Sequence, residues 1–149
     1  MILNNMKKNL GFTLIELLVV IAIIGLLTSI IAVGFGNARL KSRDAKRLSD
    51  MNQIKTGMDL FFTTGGGYPD ATTWDSGNLT CNGQNFMQVP KDPSGGVFYT
   101  YTTQTATVGC GGTLWRDYYV TFVTEGRTDL GNPGTYYLSP HGFTTVAPF

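Results

Sequence analysis

The sequence predicts an α+β protein: one long N-terminal helix, its first half suited to a membrane and its second half amphipathic, packed on a small antiparallel β-sheet head. Three observations carry that expectation. Phe12 to Phe35 is an almost unbroken apolar run. Apolar residues then recur at spacings of three and four as far as Phe61, the period of a helix with one buried face. After Pro69 the chain turns to short Tyr- and Thr-rich alternating stretches separated by Gly and Pro, the pattern of strands and turns. A chain of 149 residues has room for a small domain plus an appended segment. Only 14% of it is charged and the net charge is +1, which argues against a disordered chain and against a broad basic surface for nucleic acid.

The first element is the apolar run itself. Residues 12–35 are interrupted by Thr13, Glu16, Thr28, Ser29 and two glycines, Gly25 and Gly34. About 20 helical residues cross the hydrocarbon core of a bilayer, so this segment is long enough to span one. A discarded secretory signal is the rival reading, but such signals have a shorter apolar core and a small-residue cleavage site after it. Lys7 and Lys8 precede the run and favour a cytoplasmic N-terminus with the C-terminus outside; Arg39, Lys41 and Arg43 follow it and oppose that bias. Glu16 is the single acid in the run, and a charge in lipid costs about 2.5 kcal/mol or more, so it needs a partner. Its plainer role would be a side chain near the helix end that reaches the headgroups.

Residues 36–62 continue the helix as an amphipathic arm. Ala45, Leu48, Met51, Ile54 or Lys55, Met58 and Phe61 form the expected apolar stripe. Arg43, Asp44, Lys46, Arg47, Asp50 and Asp59 are assigned to the opposite face, exposed to solvent or to another subunit, with anionic headgroups as a secondary contact. Thr63, Thr64 and the run Gly65–Gly66–Gly67, followed by Tyr68–Pro69, end the helix. The head, residues 63–149, holds candidate strands at Val97–Thr103, Tyr118–Thr124, Thr135–Leu138 and Phe143–Val146, the last two joined by a turn at Pro140–His141–Gly142. On the second strand Tyr118, Val120 and Phe122 share one face, and a sheet built this way covers the arm's apolar stripe.

The stretch from Lys7 to Leu27, with GFTLIELLVVIAIIGLL from Gly11 onward, resembles the N-terminal signature of type IV prepilins and type II secretion pseudopilins. In that family a membrane peptidase cuts after the glycine, the new first residue is usually phenylalanine, and the glutamate falls fifth. The resemblance therefore implies a cleaved leader at residues 1–11, cleavage between Gly11 and Phe12, N-methylation of Phe12, and an assembly role for Glu16, paired with the freed α-amine within a chain or between neighbours. It implies a pilin-like fold as well. The segments GGGYPD and VPKDPSGGVFYTY resemble, more loosely, head loops of pseudopilins and minimal bacterial pilins. Many type IV pilins break this helix with a proline; here there is none between Phe12 and Phe62, leaving Gly34 and Gly36 as the weaker device. Translation could start at Met1 or Met6.

No catalytic constellation emerges, so the chain is not expected to be an enzyme or to need a cofactor. His141 is the single histidine and has no nucleophile partner in view. Cys81 and Cys110 read first as a disulfide in an oxidising exterior, pinning the Asn78–Asn85 loop, with two free thiols as the alternative; a metal site lacks its remaining ligands. Asp117, Glu125 and Asp129 are the late acids. Because major pseudopilins hold calcium in a late loop, Glu125 and Asp129 are weak calcium candidates, but the regular acidic spacing is missing and solvated turn residues is the leading reading. Tyr68, Trp74 and Trp115 could stack on sugars or neighbouring subunits, though packing within the head explains them more simply.

The leading expectation is a structural subunit of a type IV pilus, polymerised through its N-terminal helix. The alternative is a type II secretion pseudopilin, and a third is a membrane-anchored module that binds a surface ligand. The resemblance implies as partners further copies or other pilins in a filament, the prepilin peptidase, an inner-membrane assembly platform and the membrane itself. The expected location is the inner membrane, in a single pass with the N-terminus inside, and then an extracellular or periplasmic filament.

Overall fold

A computed structural model describes residues 11–96, 98–110 and 112–149. Residues 1–10, with Lys7 and Lys8 of the expected leader, and Val97 at the start of an expected strand lie outside the described residues. The chain divides into two compact units, Met1–Ala38 and Arg39–Phe149. The architecture is α+β and pilin-like, with one long N-terminal helix and antiparallel sheets. Helix α1 spans Leu14–Gly65 and contributes to both units.

In the first unit α1 has no internal core. From Phe12 to Ile31 every residue is exposed, and Phe12, Leu14 and Ile15 stand 87%, 78% and 68% open. Its hydroxyls are satisfied locally: Thr28 Oγ1 donates to the Ile24 carbonyl and Ser29 Oγ to the Leu26 carbonyl, each at 2.7 Å. A helix that pairs its backbone internally and returns its few hydroxyls to that backbone leaves no polar group demanding water.

The second unit has a single core. Met51, Ile54, Met58 and Phe61 of α1 pack with Trp74 of the short helix α2 (Ala71–Asp75), with Leu79, and with Leu114, Tyr118, Val120, Tyr136 and Leu138 of the sheet. The expected stripe is correct from Met51 onward, but Ala45 is exposed and Leu48 only half-buried. Buried positions before Met51 are instead Asp44, Arg47 and Asp50. The helix ends where expected: Gly66 takes φ +82° and its N–H bonds the Phe62 carbonyl at 2.8 Å, a left-handed cap.

Two sheets follow. Strands β1 (Asn78–Cys81) and β2 (Gln84–Gln88) form a hairpin closed by Asn82–Gly83, both with positive φ. This corrects the expected loop at Asn78–Asn85, since Asn-Gly is the favoured pair for such a tight turn. Leu79 faces Met87 while Thr80 faces Asn85, so Phe86 is an extra, bulged residue. The bulge lets Phe86 meet the Phe61 ring edge-on at 5.5 Å while Met87 lies against Gly57. The second sheet has the order β3-β4-β5-β6, all antiparallel: Thr100–Gly109, Gly112–Thr124, Gly134–Ser139 and Gly142–Thr144. On β4 the side chains of Tyr118, Val120, Phe122 and Thr124 are buried, the face expected from alternation. Strands β3 and β4 extend well past their expected ends into a long hairpin, and β6 stops short of Val146.

Trp74 is fixed by its Nε1–H, which donates to the Tyr99 carbonyl at 2.9 Å, and by stacking on Tyr101 at 4.7 Å. Tyr101 in turn donates its hydroxyl to the Pro69 carbonyl at 2.7 Å. Tyr68 and Trp74 are therefore core groups, not a surface platform for sugars, and Trp115 is half-buried.

Candidate assembly site

Glu16 sits in the first turn of α1, and its carboxylate is already engaged. Oε2 accepts the Thr13 backbone N–H at 2.9 Å and the Thr13 hydroxyl at 2.7 Å, while the Glu16 N–H reaches Thr13 Oγ1 at 3.3 Å. This reciprocal arrangement is a capping box: residue and cap each satisfy a backbone donor that a helix start leaves unpaired. The acid also lies at the positive end of the helix dipole. The sequence signal for this cap is Thr13-Leu14-Ile15-Glu16, a T-x-x-E spacing ahead of an apolar run. Gly11 and Phe12 immediately precede the cap and are exposed, so the expected cleavage point is open to solvent or to an enzyme.

The second polar constellation belongs to the other unit and overturns an expectation. Arg47 is 4% exposed and holds four partners. Its Nε and Nη2 clasp both oxygens of Asp92, at 2.7 and 3.1 Å, and its Nη1 lies 2.8 Å from both Asp44 and Glu125. Ser94 Oγ accepts from Nη2 as well. Arg43 forks onto the two oxygens of Glu125, with Nε donating to Oε1 at 2.9 Å. Asp44 accepts the backbone N–H groups of Glu125 and Gly126, at 3.0 and 2.6 Å. Asp50, fully buried, pairs with Lys46 and accepts the Tyr99 hydroxyl at 3.0 Å.

The sequence places Arg43, Asp44, Arg47 and Asp50 on a face exposed to solvent or to another subunit, with headgroup contact secondary. Instead Arg43, Asp44 and Arg47 tie the helix to the Lys91–Gly96 segment and to the end of β4, with guanidinium forks matched to carboxylates. The bonds from Arg43, then Arg47, lower the Glu125 carboxyl to about 2. Burial pushes Asp92 upward, but the bonds from Arg47 and Ser94 outweigh it and leave the acid below its ordinary range. Arg47 is raised, chiefly by Asp92. Tyr99 is raised by burial and by its bond to Asp50.

Of the two calcium candidates, Glu125 is thus engaged by two guanidiniums, and Asp129 is exposed in the tight turn between Thr128 and Gly131. Among the described residues no group of three or more His, Cys, Asp or Glu is placed to hold a metal ion. Cys81 and Cys110 form a disulfide that joins the end of β1 to the turn after β3. It pins a hairpin to a hairpin, not a loop.

Residues 6–32 match the family described as the prokaryotic N-terminal methylation motif. The type IV major pilin protein PilA of Myxococcus xanthus (strain DK1622) is 35% identical over 63 residues, 42% of this chain and 29% of that protein. The N-terminal part of the chain is thus similar to a type IV pilin and carries a methylation motif. The chain spans less than a third of the length of that pilin. No solved structure matches it. In the matched stretch the capping box and the exposed apolar helix fall together, so the motif has a physical content: an exposed Gly11–Phe12 pair followed by a capped helix with an apolar surface.

Proposed function

We propose that this chain is a structural subunit of a type IV pilus, cut between Gly11 and Phe12, methylated on Phe12, and polymerised through residues 12–35. The observation that carries the reading is the combination of the methylation motif with an apolar helix whose side chains find no partner within their own unit. Such a surface is stable in lipid before assembly, and in a filament it exchanges lipid for the same surface on other copies. The subunit waits in the inner membrane with its N-terminus inside and its head outside, and an assembly platform extracts it.

Glu16 serves two stages in this reading. Before cleavage it caps the helix through Thr13, which satisfies its carboxylate without a second charge. After cleavage the α-amine of Phe12 adds a cation beside the same carboxylate, within the chain or on a neighbour, and offsets the cost of moving the charge away from water. The alternative, a type II secretion pseudopilus, is favoured by the absence of proline between Phe12 and Phe62. Both machines use the same residues. Electron microscopy of surface fibres with peptide identification separates them: long shed fibres containing this chain support the pilus, and their absence together with a secretion defect in the deletion strain supports the pseudopilus. Replacing Gly11 with Glu is expected to leave a precursor heavier by the leader, read by intact mass. Normal processing of that variant would contradict the cleavage assignment.

A further inference from the structure

We propose that Arg39, Lys41 and Arg127 form a basic collar that binds the headgroups of anionic phospholipids, an inference that rests on the membrane-spanning reading above. All three side chains are exposed. Among the described residues none of the three has an ion-pair partner, because the acids close by are already engaged. Asp44 and Asp92 pair with Arg47, Glu125 with Arg43 and Arg47, and Asp50 with Lys46. Asp129, exposed two residues beyond Arg127, is the one nearby acid outside those pairs among the described residues. Three free cations therefore stand against one free acid, and the surface is left net positive.

The fold of the second unit brings these residues together. Strand β4 runs back along α1: Leu114 lies against Gly65 at the end of the helix, while Glu125, just past the end of the strand, meets Arg43 and Arg47 near the start of the arm. The Gly126 N–H is held on the Asp44 carboxylate at 2.6 Å, so Arg127, the next residue, emerges beside the helix face that Asp44 shares with Lys41 one turn earlier. Arg39 lies two residues before Lys41, which is about 200° around a helix of 3.6 residues per turn. The cations thus stand on opposite sides of the helix. A single bound anion or a nucleic-acid strand lying along one side would meet only some of them, whereas a bilayer surface surrounds a helix that crosses it and meets them all. Their place in the sequence fits that level. Arg39 and Lys41 follow Phe35, the end of the apolar run, by four and six residues. That is about 6–9 Å of helix, against a headgroup layer of about 5–8 Å on each side of the hydrocarbon core. Cations at this end work against the orientation favoured by Lys7 and Lys8, and phosphate contact offsets that disadvantage.

A basic side chain near an anionic surface strengthens binding about fivefold, less as salt rises. The test uses the full-length chain in nonionic detergent, with Lys7→Gln and Lys8→Gln so that the leader adds no charge. Native mass spectrometry with added phosphatidylglycerol or phosphatidylcholine reads the bound lipid. Phosphatidylglycerol should be held roughly tenfold or more tightly than phosphatidylcholine. Combining Arg39→Gln, Lys41→Gln and Arg127→Gln should abolish that preference while the Cys81–Cys110 bond and the denaturation midpoint of the second unit stay as they were. Arg39→Lys combined with Arg127→Lys should keep the preference, since the collar works through charge. Equal binding of the two lipids by the intact collar, a preference that survives the triple variant, or displacement of phosphatidylglycerol by a DNA duplex at equal phosphate would each overturn the assignment. Carbonate extraction of host membranes separates the two levels. A chain that carbonate releases refutes the membrane-spanning reading and the collar with it; a chain that stays in the membrane but does not distinguish the lipids refutes the collar alone.

Discussion

Between Leu14 and Ile31 every side chain of α1 is exposed and nearly all are apolar, whereas between Asp44 and Phe61 the same helix buries an aspartate, an arginine, a second aspartate and then four hydrophobic residues against a sheet. The two stretches share backbone geometry and differ in where their partners come from. The later one is complete within its chain: a core and an ion cluster both act on it. The earlier one satisfies only its polar atoms, through the Thr13–Glu16 cap and two hydroxyl bonds, and leaves its apolar surface for something else. Folding and assembly are thus assigned to separate lengths of one element. A substitution in one stretch should leave the other's property intact, and each prediction below is a way to break that separation.

The largest effect is expected from Trp74→Ala. It removes a fully buried ring stacked on Tyr101, together with the bond to the Tyr99 carbonyl, and should destabilise the second unit by about 3–5 kcal/mol. Chemical denaturation of the full chain in detergent, followed by near-ultraviolet circular dichroism, reads it. Replacing both cysteines with serine should cost about 3–4 kcal/mol from a loop with sequence separation 29, measured the same way. A smaller, pH-dependent effect belongs to Glu125. Its carboxyl is about 2 folded against an ordinary 4.5, so its stabilising share is complete above about pH 5 and is lost as the pH falls toward 2. Glu125→Gln should flatten that acid limb of the denaturation midpoint; an unchanged limb would mean the Arg43 and Arg47 bonds contribute nothing in solution. The smallest effect is expected from Ile21→Ala, which should leave the second unit's stability within about 0.5 kcal/mol. A larger loss there would end the separation of the two stretches.

Much of this arrangement was readable because it rests on periodicity. The arm from Met51 to Phe61 and the buried face of β4 follow directly from helical and strand spacing. The burial of Arg47 and Asp44 runs against their charge, which ordinarily marks an exposed face. Yet counting back from Phe61 through Met58, Ile54 and Met51 in steps of three and four lands on Arg47 and then Asp44. The stripe continues and its chemistry changes, which is possible because Arg47 meets Asp92 on a segment distant in sequence and Asp44 accepts the distant Glu125 and Gly126 backbone N–H groups. That pairing is not visible locally. The β1–β2 hairpin was missed for another reason: its strands are short and polar, so the alternation is faint, although Asn82–Gly83 marked the turn. At the candidate site, Glu16 is legible as an expensive charge in an apolar run, and its cap is legible in the Thr13–Glu16 spacing.

The most direct test of the account is the assembly of Glu16→Ala in the native host, scored by surface filaments alongside leader processing and head stability. The expected result is a processed subunit, with the second unit as stable as in wild type, that forms few or no filaments. Normal filament numbers from Glu16→Ala would contradict the claim that this end of α1 exists to assemble.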